Sequence, residues 1–221
     1  MSAALRDKLV ADAATIMARY PRKRSALLPM LHLVQAEQGF VTAEGIALCA
    51  ELLELSTAEV SAVVTFYTMY KRRPVGRYHV GVCTNTLCAV MGGDAIFGRL
   101  CEHLGIGNDE TTDDGAITLE RVECNAACDY APVLMVNWEF FDNQTPASAT
   151  DLVDRLRAGA QVTATRGARV ASFTEIERLL AGFDDGRADE GPSAGPATLR
   201  GVEAASKTGW RLETSSGEES R

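Results

Sequence analysis

Apolar residues recur every three or four positions up to about residue 70, the interval of a helix with one buried face, and then alternate with polar ones as a strand does. Across residues 3–20 the stripe is Leu5, Leu9, Ala13, Ile16 and Tyr20, and Pro21 stops it. Ser25 is placed to cap a second helix carrying Leu27, Leu28, Leu31 and Val34 as far as Gln38; Pro29 falls in its first turn, where no N–H is missed, and Gly39 ends it. Thr42 opens a third helix bearing Ile46, Leu48, Cys49, Leu52 and Leu53. In Ser56-Thr57-Ala58-Glu59 the hydroxyl and the carboxylate each serve a free N–H, the start signal of a fourth helix through Val60, Val63 and Val64. Four short helices with short connections predict a helical bundle over residues 1–73.

Lys71-Arg72-Arg73-Pro74-Val75-Gly76 has the polar, Pro/Gly character of a boundary. Arg77 to Val82 then alternates as a strand, and Gly92 to Leu104 reads as a helix with Ile96, Phe97, Leu100, Cys101 and Leu104 inward. An acidic loop from Asn108 to Gly115 precedes a strand from Ala116 to Val122. Pro132 introduces a third strand, Val133 to Asn137, and Trp138 to Phe141 adds a short fourth. Pro146 to Leu156 closes the unit as a helix. The order predicted is β-α-β-β-β-α, a small α/β domain over residues 74–160, so the fold class is α+β: a helical bundle followed by an α/β domain. In the extension 161–221 one further helix is predicted, Phe173 to Leu180. From Arg187 onward, fifteen of thirty-five residues are Gly, Pro, Ser or Thr, a composition that predicts disorder. Trp210, between Lys207 and Arg211, is either a solvated residue or an anchor onto a partner.

Composition alters this picture little, but charge does. The chain has 46% hydrophobic and 24% charged residues, ordinary for a globular protein, and no apolar run long enough to span a bilayer. Its first residues interleave charges with apolar side chains, unlike a secretory signal, so a cytoplasmic location and reduced thiols are expected. The net charge of −8 is uneven: residues 1–73 carry nine Lys/Arg against seven Asp/Glu, and residues 74–160 five against thirteen. Such acidity in the second domain disfavours nucleic acid as a partner. Arg22-Lys23-Arg24 reads as a solvated connection, with docking to an acidic partner the alternative.

The candidate chemistry lies in four of the six cysteines. Cys83 and Cys88 are separated by four residues, Cys124 and Cys128 by three, and thirty-five lie between the pairs. Both pairs fall among turn formers after predicted strands, where a loop can wrap a metal. Neither is the two-residue knuckle common in structural zinc sites, and a [2Fe–2S] rhomb tolerates wider spacing, with zinc and a redox disulfide as the other readings. Cys49 and Cys101 fall on apolar helix faces and are read as core. Nothing resembles a phosphate-cradling glycine loop, so no NADH site is expected here. His32, His79 and His103 are scattered and read as packed or solvated, and Asp109, Glu110, Asp113 and Asp114 as a solvated loop rather than a calcium site.

Several further residues complete a pattern. Leu31-His32-Leu33-Val34-Gln35 with Gln38-Gly39, Val64 to Tyr70 with Pro74 and Gly76, the first cysteine pair with Gly92, and Glu123-Cys124 with Cys128 and Ala131-Pro132 together resemble the 24 kDa subunit of bacterial NADH:quinone oxidoreductase (respiratory complex I), a family of thioredoxin-like [2Fe–2S] ferredoxins. The resemblance covers about residues 10–160. It implies a thioredoxin-like domain in which Cys83, Cys88, Cys124 and Cys128 ligate one [2Fe–2S] cluster and no catalytic residue is present. It also implies an electron-transfer subunit beside a larger flavoprotein that binds NADH and FMN, peripheral on the inner face of the cell membrane, with no quinone site of its own. The same module in a soluble NAD-linked hydrogenase or formate dehydrogenase is the alternative; a zinc-stabilised thioredoxin-like interaction module is the alternative of another class, and a thiol–disulfide oxidoreductase lacks its usual Cys-x-x-Cys. One departure stands out. The family's usual second motif is Glu-Cys-Leu-Gly-Ala-Cys, whereas here Asn125 and Ala126 replace Leu and Gly, so a positive φ would strain at Ala126 and the hydrogen bonds that tune the cluster would differ.

Overall fold

Side-chain caps and an unbroken apolar face give the first helices their limits. In the computed structural model, which describes residues 1–210, these are α1 (Ala3–Met17), α2 (Leu27–Gln38), α3 (Ala43–Leu53) and α4 (Thr57–Phe66). Thr42 accepts the Gly45 N–H at α3, Ser56 and Glu59 form the capping box of α4, and Gly39 ends α2 with a left-handed φ of 76°. Ser25 is not the cap of α2. A 3₁₀ turn, Lys23–Ala26, runs straight into the helix, and its Arg24 carbonyl accepts the Leu27 N–H, doing a cap's work with backbone alone. Leu9, Ile16, Leu31, Val34, Leu48, Cys49, Leu53, Val60 and Val64 close over one another as the core of this bundle. Each such side chain contributes roughly 1.5–3 kcal/mol by leaving water.

The second core is built on a five-stranded sheet in the order β2 (Glu110–Thr111), β3 (Ile117–Val122), β1 (Tyr78–Cys83), β4 (Leu134–Val136) and β5 (Glu139–Phe141). Strands β1 and β3 are parallel, with Cys83 opposite Val122; β4 runs antiparallel to β1 on its other side. This register matters for the site, because both cysteine segments leave the sheet at one end. Between β1 and β3 lie α5 (Thr86–Val90) and α6 (Gly93–Leu104), and after β5 comes α7 (Pro146–Arg157). Tyr78, Val80 and Val82 of β1 pack with Ile96, Leu100, Leu152 and Val153 of α6 and α7. Two elements exceed the predicted order. Helix α5 makes the Cys83–Cys88 connection helical rather than a loop, started by Asn85, whose side chain accepts the Thr86 N–H. Strand β2 lies within the acidic loop, where Glu110 and Thr111 pair with β3.

The opposite face of β1 carries His79, a buried imidazole whose Nε2 lies 2.5 Å from Glu120 Oε2; Lys71 Nζ approaches the same oxygen at 2.5 Å. Burial pushes the His79 pKa below its ordinary 6.5, against the pull of Glu120 and aided by the Lys71 charge. Its Nδ1 is buried without a partner among the described residues, so protonation would strand a second N–H donor there. Burial alone would raise the Glu120 carboxyl, but the His79 hydrogen bond and the Lys71 charge outweigh it and hold it below 4.5. For His79 the unfolded chain binds the proton first. Its contribution to stability is therefore complete above pH 6.5 and is lost as pH falls from there toward the folded pKa. In an NMR titration of the ring, His79 stays neutral at a pH where an exposed histidine has charged; a midpoint at or above 6.5 would contradict this.

Helix α8 (Phe173–Leu180) starts from a second Ser/Glu capping box, at Ser172 and Glu175, and packs against α2. Its Glu177 reaches across both cores, with Oε2 2.6 Å from His32 Nδ1 and 2.8 Å from Gln35 Nε2, and Oε1 accepting from Trp138 Nε1 at 3.3 Å. Trp138 follows Asn137 in the turn from β4 to β5, and both have positive φ, 47° and 71°. An aromatic residue there costs about 1–2 kcal/mol, which the Glu177 hydrogen bond and the His79 ring beneath Trp138 offset.

Composition predicts disorder from about Arg187, but a helix, α9 (Pro196–Lys207), lies in that stretch. Pro196 supplies the preset φ of a first turn, and Ala and Leu provide propensity. No residue of α9 is buried, and its start is tied to the second cysteine segment by Ala197 N–H donating to the Tyr130 hydroxyl at 3.0 Å. Trp210 is exposed; Arg211 and the rest of the expected tail lie outside the described residues.

Candidate metal centre

Two parallel strands ending side by side bring the cysteines together. Cys83 is the last residue of β1, and Cys88 is the third residue of α5; both are 2% exposed. Cys124 follows β3 after one residue, and Cys128 begins a 3₁₀ turn through Tyr130; both are exposed. The Cys124 and Cys128 sulfurs are 3.7 Å apart, and all four residues line one cavity of about 210 Å³ with Asn85, Thr86, Leu87 and Val90. Among the described residues, no three His, Cys, Asp or Glu converge as the ligands of one ion. Four thiols lining one cavity are a donor set that suits a [2Fe–2S] rhomb, two ligands to each iron.

The loops are held close by glycine. A Cβ on Gly93, at the start of α6, would lie 2.4 Å from the Cys83 carbonyl oxygen and 2.9 Å from that of Cys88, so only hydrogen fits. The Gly92-Gly93 pair was the available signal for this approach, though its reason is tertiary. In the second loop Ala126 has a φ of 54°, the strained conformation expected where glycine is usual, and its N–H donates to Cys124 Sγ at 3.3 Å. Ala126→Gly should relieve the strain and stabilise the protein by about 0.5–1 kcal/mol, read from the denaturant midpoint of cluster-loaded protein. No change, or a loss, would mean the loop adopts a different backbone once metal is bound.

Burial pushes Cys88 up to about 11, and the hydrogen bond with Cys124 raises Cys128 above the ordinary thiol range; a thiol that ligates a metal is deprotonated by the metal it binds. Cys49 is buried and pushed up to about 12, as suits a core thiol, and Cys101 packs half-buried against the second core. None of the histidines joins the centre: His32 and His79 are packed as described, and His103 Nε2 lies 2.6 Å from Asp154. The acidic loop is less free than expected, since Asp114 accepts from Thr112, Ala116 and Arg157, and Glu110 from Gly107. Lys23 and Arg24 pair with Glu54 and Glu59 at the surface.

Around the cavity the surface is unusually apolar. Leu87, Val90 and Met91 are exposed, Val90 by 82%, and Glu123 and Asp129 flank the exposed cysteines with negative charge. Asn125, between Cys124 and Ala126, has a buried side-chain nitrogen with no partner among the described residues. Asn125 was visible in the sequence only as a departure from a motif; its orphaned donor was not.

Comparison with known proteins agrees with this geometry. The family model for thioredoxin-like [2Fe–2S] ferredoxins matches residues 13–157. The E subunit of NADH-quinone oxidoreductase from Mycobacterium tuberculosis (strain ATCC 25618 / H37Rv) is 62% identical over 201 residues, 90% of this chain and 80% of that protein. The second E subunit of the same enzyme from Rhizobium meliloti (strain 1021) is 36% identical over 167 residues, 76% of this chain and 97% of that protein. An NAD⁺-reducing [NiFe]-hydrogenase solved in its air-oxidised state superposes with a TM-score of 0.54 at 22% identity, over 60% of this chain but only 23% of the hydrogenase chain, and so shares the fold. By the extent of the family match and by this level of identity, the chain belongs to the thioredoxin-like [2Fe–2S] ferredoxins.

Proposed function

We propose that Cys83, Cys88, Cys124 and Cys128 hold one [2Fe–2S] cluster, and that this chain is the electron-transfer subunit of an NADH:quinone oxidoreductase. The observation that carries the assignment is the meeting of two buried and two exposed thiols on one cavity at the shared end of two parallel strands. When bound, the cluster supplies storage for one electron. The chain's own residues set the conditions. Strands β1 and β3 fix the ligand spacing, and the Ala126 N–H stabilises negative charge on Cys124 Sγ. Glu123 and Asp129 oppose the added negative charge and so lower the potential. Leu87, Val90 and Met91 offer an apolar rim that a partner can cover, excluding water and bringing its redox group close.

The partner that fits is the flavoprotein subunit binding NADH and FMN, which exchanges electrons with this chain through the covered rim. The chain has no motif for either cofactor, so hydride chemistry resides on that neighbour. Assembly on the inner face of the cell membrane follows from the same reading; among the described residues no helix is long and apolar enough to cross a membrane.

Anaerobic purification followed by iron, sulfide and zinc analysis, with optical and EPR spectra before and after dithionite, tests the cluster. About two irons and two sulfides per chain, with one unpaired spin on reduction, are expected. Stoichiometric zinc without sulfide would leave the fold standing and remove the electron-transfer reading. Co-purification from cell extracts then separates assemblies: recovery with quinone-reducing activity in the membrane fraction supports complex I, and recovery with a soluble hydrogenase or formate dehydrogenase replaces it.

A further inference from the structure

After α8 the chain turns back across the β5 side of the molecule and ends its course at the second cysteine loop. Arg187 Nη1 donates to the Arg169 carbonyl at 3.1 Å, Glu190 pairs with Arg169 at 3.5 Å, and the Gly167 N–H donates to the Pro192 carbonyl at 2.9 Å. A Cβ on Gly191, where φ is 73°, would fall on the Gly167 carbonyl oxygen, so the crossing needs glycine. From this anchor the chain reaches the two residues that follow Cys128. The Tyr130 hydroxyl accepts the Ala197 N–H at 3.0 Å, Thr198 Oγ1 donates to Asp129 Oδ2 at 2.5 Å, and a Cβ on Gly195 would overlap the Tyr130 hydroxyl. Arg166 also holds Tyr130, with its guanidinium 5.0 Å from the ring centre and its Nε and Nη2 on the Asp142 carboxylate.

The loop so held is otherwise lightly secured. Cys124, Ala126, Cys128 and Asp129 are exposed, and Ala127 alone between Glu123 and Tyr130 is buried. The Ala126 N–H to Cys124 and the Tyr130 N–H to the Ala127 carbonyl are bonds within the loop; from outside it the Asn143 N–H donates to the Tyr130 carbonyl, and Asn85 reaches Glu123 at 3.4 Å. We propose that residues 187–198 form a strap that fastens the loop carrying Cys124 and Cys128 and so slows loss of the [2Fe–2S] cluster. Retention rests on the cluster assignment above, whereas fastening of the loop does not. A cluster can leave only when its accessible ligands swing away, and the frequency of that event follows the local opening equilibrium of the loop that carries them. Since no residue of α9 is buried, the strap adds no core, and its ties to Asp129 and Tyr130 act on the loop alone.

The test uses the full chain, loaded with cluster anaerobically and then mixed with excess EDTA, with the fall of visible absorbance giving the rate of cluster loss. In Gly195→Ala the backbone is unstrained, since φ there is −103°, but the new methyl displaces the strap from Tyr130. Loss should be about three- to tenfold faster, and faster also in Thr198→Val, which removes the donor to Asp129. Gly201→Ala, on the same helix but facing open space, should leave the rate unchanged. A second readout needs no cluster: in metal-free protein the Tyr130 and Ala131 amides should exchange with deuterium faster in Gly195→Ala, while those of β1 and β3 keep their protection. An unchanged rate of loss in both Gly195→Ala and Thr198→Val overturns the proposal with the cluster assignment intact, as does an equal acceleration in Gly201→Ala. If no preparation holds a two-iron cluster, the assignment and the retention role fall together, and exchange decides the fastening: faster exchange at residues 130 and 131 supports it, and unchanged exchange there overturns it.

Discussion

Replacing Cys83 with alanine should empty the centre: iron and sulfide fall from about two each per chain to a small fraction, and the reduced EPR signal disappears. The reason lies in where this thiol sits. Cys83 is 2% exposed at the end of β1, with its backbone N–H donating to the Val133 carbonyl and Gly93 packed against its own carbonyl. Alanine offers no replacement ligand, the position is closed to bulk solvent, and neighbouring chain cannot move in without breaking the sheet. Cys124→Ser provides the contrast. Its position is exposed, its loop is strained, and a serine oxygen or solvent can complete the coordination there. That variant should retain part of its iron with an altered EPR spectrum. Equal loss from both variants would mean that the division into a buried and an exposed pair has no bearing on cluster retention. Full retention in Cys83→Ala would remove this residue from the ligand set.

That contrast was only half readable from sequence. Spacing and turn residues singled out the four cysteines, and the alternation of Arg77 to Val82 and Ala116 to Val122 located the strands that deliver them. Which pair is deep depends on α5 and Gly93. Helix α5 is one short turn of mixed residues with no periodic face to detect, and Gly93 owes its role to carbonyls that approach only after folding. The cap expected at Ser25 failed for a related reason, since a preceding 3₁₀ turn supplied the acceptor locally and no sequence rule favours one solution over the other. In the extension, low apolar content correctly signalled a lack of core, because α9 buries nothing, yet helix formation there needed only a Pro start and a tie to Tyr130. Glu177 is the extreme case. On the amphipathic pattern of α8 it is an ordinary acidic residue, and its partners stand at positions 32, 35 and 138.

Glu177→Ala should cost about 3–5 kcal/mol of stability, the largest loss expected from a residue outside the cysteines. The side chain is 0% exposed and serves His32, Gln35 and Trp138 together, so its removal strands the His32 and Trp138 nitrogens in the seam between the bundle and the sheet and leaves Gln35 Nε2 with the Met69 carbonyl as its one acceptor. Little can relax to repair them. Gln35 has its Oε1 committed to the Lys71 N–H, and Trp138 is fixed in a turn of positive φ. Glu177→Gln keeps the shape and one acceptor oxygen, and should lose about 1–2 kcal/mol. Urea unfolding of cluster-loaded protein measures both. Trp138 fluorescence locates the effect, because Trp210 is already exposed and contributes a constant background. Since Glu177 touches none of the cysteines, iron content in the folded protein should be unchanged. A Glu177→Ala midpoint within about 1 kcal/mol of the unsubstituted protein would mean that α8 is not what joins the two cores, because a seam that holds them cannot lose its central acceptor so cheaply.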